Sequence, residues 1–143
     1  MALTSCQKPV PIEDEKQQTI EVSYDNLEGC WRLTHLNGEP LFDESMMYID
    51  FVAPAKDGEM AHYEMWDNLS SMYLRQTTGT YTITKEKNDT YTLRGTYDNG
   101  MGDWNEEYRV DLFQNDRMLW WSLQTGVCLE FIFAIENPEE FYN

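Results

Sequence analysis

Positive charge is what this sequence has least of. Its 143 residues hold 10 lysines and arginines against 26 aspartates and glutamates, a formal charge of -16. Such an excess repels nucleic-acid phosphates and anionic membrane surfaces alike, so neither is expected as a partner. Long apolar runs are missing as well. None approaches the ~20 residues of a membrane-spanning helix, which leaves a lipid anchor as the route to a bilayer. Histidine is scarce: His35 and His62 are the only two, and no HExxH, GxSxG or P-loop accompanies them. A general base needs a convergent partner, and none is identifiable for His35. His62 and Glu64 share a strand face, but two ligands do not make a metal site. The expectation is therefore a non-enzyme with no cofactor and no metal. The cysteines, Cys6, Cys30 and Cys128, form no CxxC pair. Helical periodicity is absent too, since no stretch of ten or more residues repeats at 3.6.

What the chain has instead is a period of two, repeated from residue 29 onward. Trp31, Leu33 and His35 share one face of a first strand, and Met47, Ile49 and Phe51 one face of a second. Met60–Trp66 reads as a third, Ser70–Gln76 as a short and doubtful fourth. Runs around Tyr81, Tyr91–Tyr97, Tyr108–Leu112, Leu119–Leu123 and Val127–Ile135 complete the series. Turn chemistry separates them: Asn37-Gly38, Asp57-Gly58, Asn88-Asp89, Asn99-Gly100, Asn115-Asp116 and Thr125-Gly126. Strands at about ten-residue spacing, all joined by short connections, predict a single all-β domain. The architecture expected is one antiparallel up-and-down β-barrel of about eight strands, over residues 19–143. The oxygen-rich stretch Asp98–Glu107 lacks the spacing of a calcium loop and reads as an acidic hairpin turn.

The amino-terminal part reads differently. Leu3-Thr4-Ser5-Cys6 resembles a bacterial lipobox, which marks Cys6 for lipidation. The few residues before it cannot supply a signal peptide's charged start and apolar core, so the chain reads as beginning inside one. The polar, proline-containing stretch that follows, up to residue 18, has the composition of a flexible tether. The implied location is the cell envelope, lipid-anchored at the outer membrane and facing either the periplasm or the surface.

Gly29-Cys30-Trp31 opens the first strand after a short lead-in, and it resembles the Gly-x-Trp signature of the lipocalins. The whole chain resembles the lipocalin-like (calycin) lipoproteins of Gram-negative bacteria, over roughly residues 27–135. The resemblance implies that Trp31 points inward and plugs the closed end of the barrel, with "YDNLEG" as the turn covering that end. Two family features are absent. The last strand, "VCLEFIFAIE", has no arginine to stack on the tryptophan, and "NPEEFYN" is too short for the helix that follows the barrel.

Alternation assigns an inward set: Trp31, His35, Tyr81, Tyr91, Tyr97, Tyr108, Trp121, Phe131 and Phe133, with Gly95 leaving a gap. Of these, His35, Tyr81, Tyr91, Tyr97, Tyr108 and Trp121 are the candidate ligand contacts, because polar tips in an apolar wall orient a ligand. An eight-stranded barrel holds one small ligand or is filled by its own side chains. Two functions follow: a lipid-anchored envelope protein binding a small, partly apolar ligand, or an interaction or assembly protein, its filled barrel showing an acidic surface to a protein or glycan partner. With Trp121 inward, Met118 and Trp120 face out. Opposite Ile132 and Ala134 they form an apolar patch, which the lead-in (Ile20, Val22, Tyr24) would cover, keeping the protein a monomer. Cys30 and Cys128 begin the first and last strands, about 20 Å apart in an antiparallel closure. Both are expected to remain thiols.

Overall fold

The computed structural model describes residues 18–134, so the Cys6 lipidation site and most of the tether lie outside the described residues. Ten strands form one antiparallel sheet, and eight of them close into a barrel. Six follow the meander: β4 (Met47–Val52), β5 (Ala61–Asp67), β6 (Arg75–Lys85), β7 (Tyr91–Tyr97), β8 (Tyr108–Phe113) and β9 (Arg117–Ser122). Closure comes from β10 (Cys128–Phe133), which lies between β9 and β2 (Gly29–Leu36). Each connection is short enough for sequential neighbours to pair, which gives the up-and-down order. Two short strands are appended. β1 (Thr19–Ile20) pairs with the far end of β8, and β3 (Glu39–Pro40) with the end of β2.

Ser70–Gln76 is not a strand of its own. Its last two residues begin β6, whose eleven residues run on through the alternating threonines, while 68–74 turn. β1 has a structural job. β7 and β8 pair only from Leu93↔Tyr108 to Tyr91↔Val110, and β1 takes over at Leu112 and Phe113, where β7 has departed. Val22 then enters the core and Tyr24 packs against Tyr81. The lead-in therefore seals the barrel's end rather than covering its outer wall.

That end is closed by α1 (Tyr24–Leu27), a single turn capped by the Ser23 side chain, which accepts from Asn26 N at 3.1 Å. Its Leu27 is fully buried and its carbonyl accepts from Trp31 Nε1 at 2.9 Å. Phe133 meets the Trp31 ring edge-on, centroids 5.2 Å apart. It stands against the tryptophan in a chain whose last strand has no arginine.

Two assignments of sidedness change. His35 was expected inward, but a bulge intervenes: Leu33 pairs with Phe131 and His35 with Glu130, leaving Thr34 without an opposite residue. The extra residue turns His35 to the outer wall, its Nδ1 3.8 Å from a Glu130 carboxylate oxygen and 2.9 Å from Thr34 Oγ1. β9 has the opposite phase from the one expected. Met118 and Trp120 point inward and are buried in the main core. Leu119 and Trp121 point outward, opposite Asp111 and Arg109, and the Arg109 guanidinium lies 4.3 Å from the Trp121 ring centre. The run Met118-Leu119-Trp120-Trp121 is apolar on both faces, so its alternation carries no phase. The outer face is itself covered, with Leu119, Cys128 and Phe113 buried together. The proposed patch of Met118, Trp120, Ile132 and Ala134 therefore does not exist as one surface. Ile132 lies outside opposite Arg32 and Arg117, and Ala134 packs with Tyr48 and Trp66.

Candidate functional site

Strand polarity places Gly29, Val52, Ala61, Lys85, Tyr91 and Phe113 at the closed end and Leu36, Met47, Asp67, Tyr97, Tyr108 and Cys128 at the other. The site lies at this second, open end. Its key element is the hairpin loop 98–107. Asn99, Gly100 and Gly102 all take positive φ, so the chain doubles back and bridges Asp103 to Thr96. Trp104 N then donates to Gly95 O at 2.8 Å, and the indole enters the barrel.

Gly95 explains why it fits. A Cβ on Gly95 would overlap the indole ring, so the bare backbone there is the floor of an indole-shaped slot. The gap read at Gly95 is real, and this chain fills it with its own tryptophan. Trp104 Nε1 donates to Tyr63 OH at 2.8 Å. Beneath it runs an aromatic column. Trp120 lies 6.1 Å from Trp104, 4.9 Å from Tyr108, 4.6 Å from Phe131 and 6.3 Å from Phe51, and Phe51 meets Tyr81 at 4.9 Å. The lower barrel is therefore filled by its own side chains.

What remains is a cavity of about 250 Å³ at the mouth, with Met47, Met65, Tyr97, Trp104, Tyr108 and Trp120 among its lining. The walls are flat rings and two flexible thioethers, which suit a small planar apolar group. Asp67, Asn105 and Glu106 supply the polar part of the lining. Trp120 Nε1 is buried and has no hydrogen-bond partner among the described residues. Burial pushes the Tyr108 phenol up to about 12, with the Glu106 carboxylate adding to the shift. Burial also raises Tyr63 and Tyr81, the first opposed by its bond from Trp104. All three tyrosines are therefore neutral donors at physiological pH.

Of the candidate contacts, Tyr97 and Tyr108 line this cavity. Tyr81 and Tyr91 face the core nearer the closed end, while His35 and Trp121 stand on the outer wall. Trp104, Trp120, Met47 and Met65 were missed as site residues. Only Gly95 hinted at the insertion. His62 also faces out, between the inward Ala61 and Tyr63. Among the described residues no group of three or more His, Cys, Asp or Glu side chains gathers to hold a metal, the 98–107 loop included. No helix among them is long and apolar enough to cross a membrane.

Cysteine chemistry departs from expectation at one position. Cys30 keeps its thiol, but Cys128 is disulfide-bonded. The distance between Cys30 and Cys128 excludes that pair alone.

No curated protein and no solved structure matches the chain significantly. The family comparison does match: the lipocalin-like domain covers residues 27–120, from the last residue of α1 through Trp120. With a closed eight-stranded meander, a buried Trp31 over the closed end and a match over more than half its length, this chain belongs to the lipocalin-like domain family, generally a non-enzymatic binding fold.

Proposed function

We propose that this protein is a lipid-anchored cell-envelope protein that binds a small, partly apolar molecule in the mouth of its barrel. The observation that carries the reading is the cavity beside Trp104 and Trp120. It is walled by aromatic rings, and the buried indole N–H of Trp120 has no partner among the described residues. A buried donor without an acceptor costs about 1–3 kcal/mol, so a ligand that brings an acceptor to it gains specificity as well as contact area. The volume suits a molecule of one or two fused rings, and the carboxylates at the rim disfavour an anionic head group.

Tryptophan quenching against a panel of planar apolar molecules tests this reading. Saturable quenching is expected for the wild-type chain and its loss in Met65→Trp, which fills the cavity, with the circular-dichroism spectrum unchanged. Quenching that persists in Met65→Trp, or is absent across the panel, would overturn it. The anchor is tested separately by labelling cells with a fatty acid and comparing wild type with Cys6→Ala. A cysteine sulfur carries either a lipid thioether or a disulfide. Peptide mapping that pairs Cys6 with Cys128 in the mature protein would exclude the anchor.

A further inference from the structure

The barrel's open end is ringed by apolar side chains that cover nothing. Phe42 is 87 % exposed, Met72 90 %, Tyr73 76 % and Met101 75 %, and Leu69 and Leu123 are also exposed. They come from four separate segments: 37–46, 67–75, 98–107 and 123–127. The segments meet at the mouth. Asn68 bonds Met46 N and Glu44 O, tying the first two together. Leu69 lines both an apolar groove of about 370 Å³ with Phe42 and the mouth cavity with Trp104. Leu123 N donates to Glu107 O, which joins the last two. Exposed apolar residues gathered on one end of a monomer mark a place where something else lies.

Charge identifies what that is. The same segments carry eight carboxylates, three on 37–46, one on 67–75 and four on 98–107, against a single cation, Arg75. Arg75 is already paired with Asp67 at 3.3 Å, and Arg94 of β7 reaches Glu107 at 3.0 Å and Asp103 at 3.8 Å. Three of the eight carboxylates therefore already face a cation, and the other five set the charge of the mouth. The lysines of the described residues, Lys56, Lys85 and Lys87, all sit at the opposite end, on or beside the 53–60 and 86–90 turns. The mouth is thus apolar and anionic at once. A second copy docking mouth to mouth would bring two such faces together, and an anionic bilayer would be repelled. We propose that the mouth loops form a docking surface for a basic, amphipathic polypeptide segment. Its apolar residues would pack among Phe42, Leu69, Met72 and Met101 while its lysines or arginines meet the surrounding carboxylates. The surface adjoins the cavity at Leu69 but lies outside it, and docking does not depend on the cavity being filled.

A fluorescein-labelled amphipathic peptide with leucines on one face and lysines on the other serves as probe, read by anisotropy against the full chain. The wild type should bind it more tightly at about 50 mM than at about 200 mM salt, because screening weakens the ionic part. Phe42→Ser with Met72→Ser should weaken binding about tenfold, as truncating central apolar anchors does. Val52→Ser with Met60→Ser, at the closed end, should leave it within about twofold, and so should Met65→Trp, which fills the cavity. Because every substituted mouth residue is exposed, folding should be unaffected. Met101→Ser alone repeats the test should the double variant melt early. Three results would each overturn the proposal: equal binding of a lysine–serine peptide lacking an apolar face, equal weakening by the closed-end variant, or use of Phe42 and Met72 for self-association or for phosphatidylcholine vesicles instead of the peptide.

Discussion

Replacing Gly95 by alanine isolates the contact on which the mouth is built. A Cβ there overlaps the Trp104 indole, a rigid ring rather than a flexible tip, so the indole must leave its slot. With it go the ring contacts to Tyr63 at 5.2 Å and Tyr108 at 6.1 Å, and the 2.8 Å bond to Tyr63 OH. Removing a fully buried tryptophan costs about 3–5 kcal/mol, and Trp104 is only partly buried, so about 3 kcal/mol is expected for Trp104→Ala. Gly95→Ala should cost about 2–3 kcal/mol, slightly less, because alanine favours the strand backbone by about 0.5 kcal/mol. The double variant should cost no more than Trp104→Ala alone, since both substitutions remove one and the same contact. In the Trp104→Ala background the glycine substitution should be neutral or slightly stabilising. Gly79→Ala provides the contrast, since its Cβ would overlap the Thr96 carbonyl, and no side-chain deletion relieves a backbone collision. Urea unfolding followed by circular dichroism measures all four variants; fluorescence is unsuitable because an emitting indole is removed. If Gly95→Ala costs the same 2–3 kcal/mol with and without Trp104, the slot is not what the glycine provides.

Trp31→Ala should destabilise the protein by about 3–5 kcal/mol in the same assay, because it empties the closed end and strands the Leu27 carbonyl. A loss below about 1 kcal/mol would show that α1 seals the barrel without the plug. Alkaline titration should find stability level up to about pH 10 and falling from there towards pH 12, since the folded state holds the Tyr108 proton after the unfolded chain has released it. The slope is about 1.4 kcal/mol per pH unit for each such phenol, and Tyr108→Phe should flatten it; an unchanged slope would assign it elsewhere. Expressed without a lipid, the denatured protein should gain two titratable thiols on reduction, because Cys128 is held in a disulfide; no gain would refute that bond.

Alternation with one face apolar and one polar tells a strand which side is in, and the chain shows it plainly around Tyr81, Tyr91 and Tyr108. The turn dipeptides fixed the order of hairpins, and Gly29-x-Trp31 the end that closes. That much was legible because pleat and turn chemistry act over a few residues. Met118-Leu119-Trp120-Trp121 lacked a polar face, so only the pairing of β9 with β8 and β10 settled that Met118 and Trp120 look inward. One unpaired residue, Thr34, reversed the side of His35, and a bulge of this kind leaves no mark in a pattern of two. Trp104 sits in an acidic turn, nine residues from the glycine it covers, and local propensity offered no reason to place it inside. Its position follows from the slot that Gly95 opens and the hydroxyl that Tyr63 presents, and those two meet only once β5, β6 and β7 are paired. The sequence alone determined a closed antiparallel barrel, because local chemistry repeats along every strand. Tertiary structure decided which side chains fill it and where a cavity remains, because that depends on contacts between residues distant in the chain.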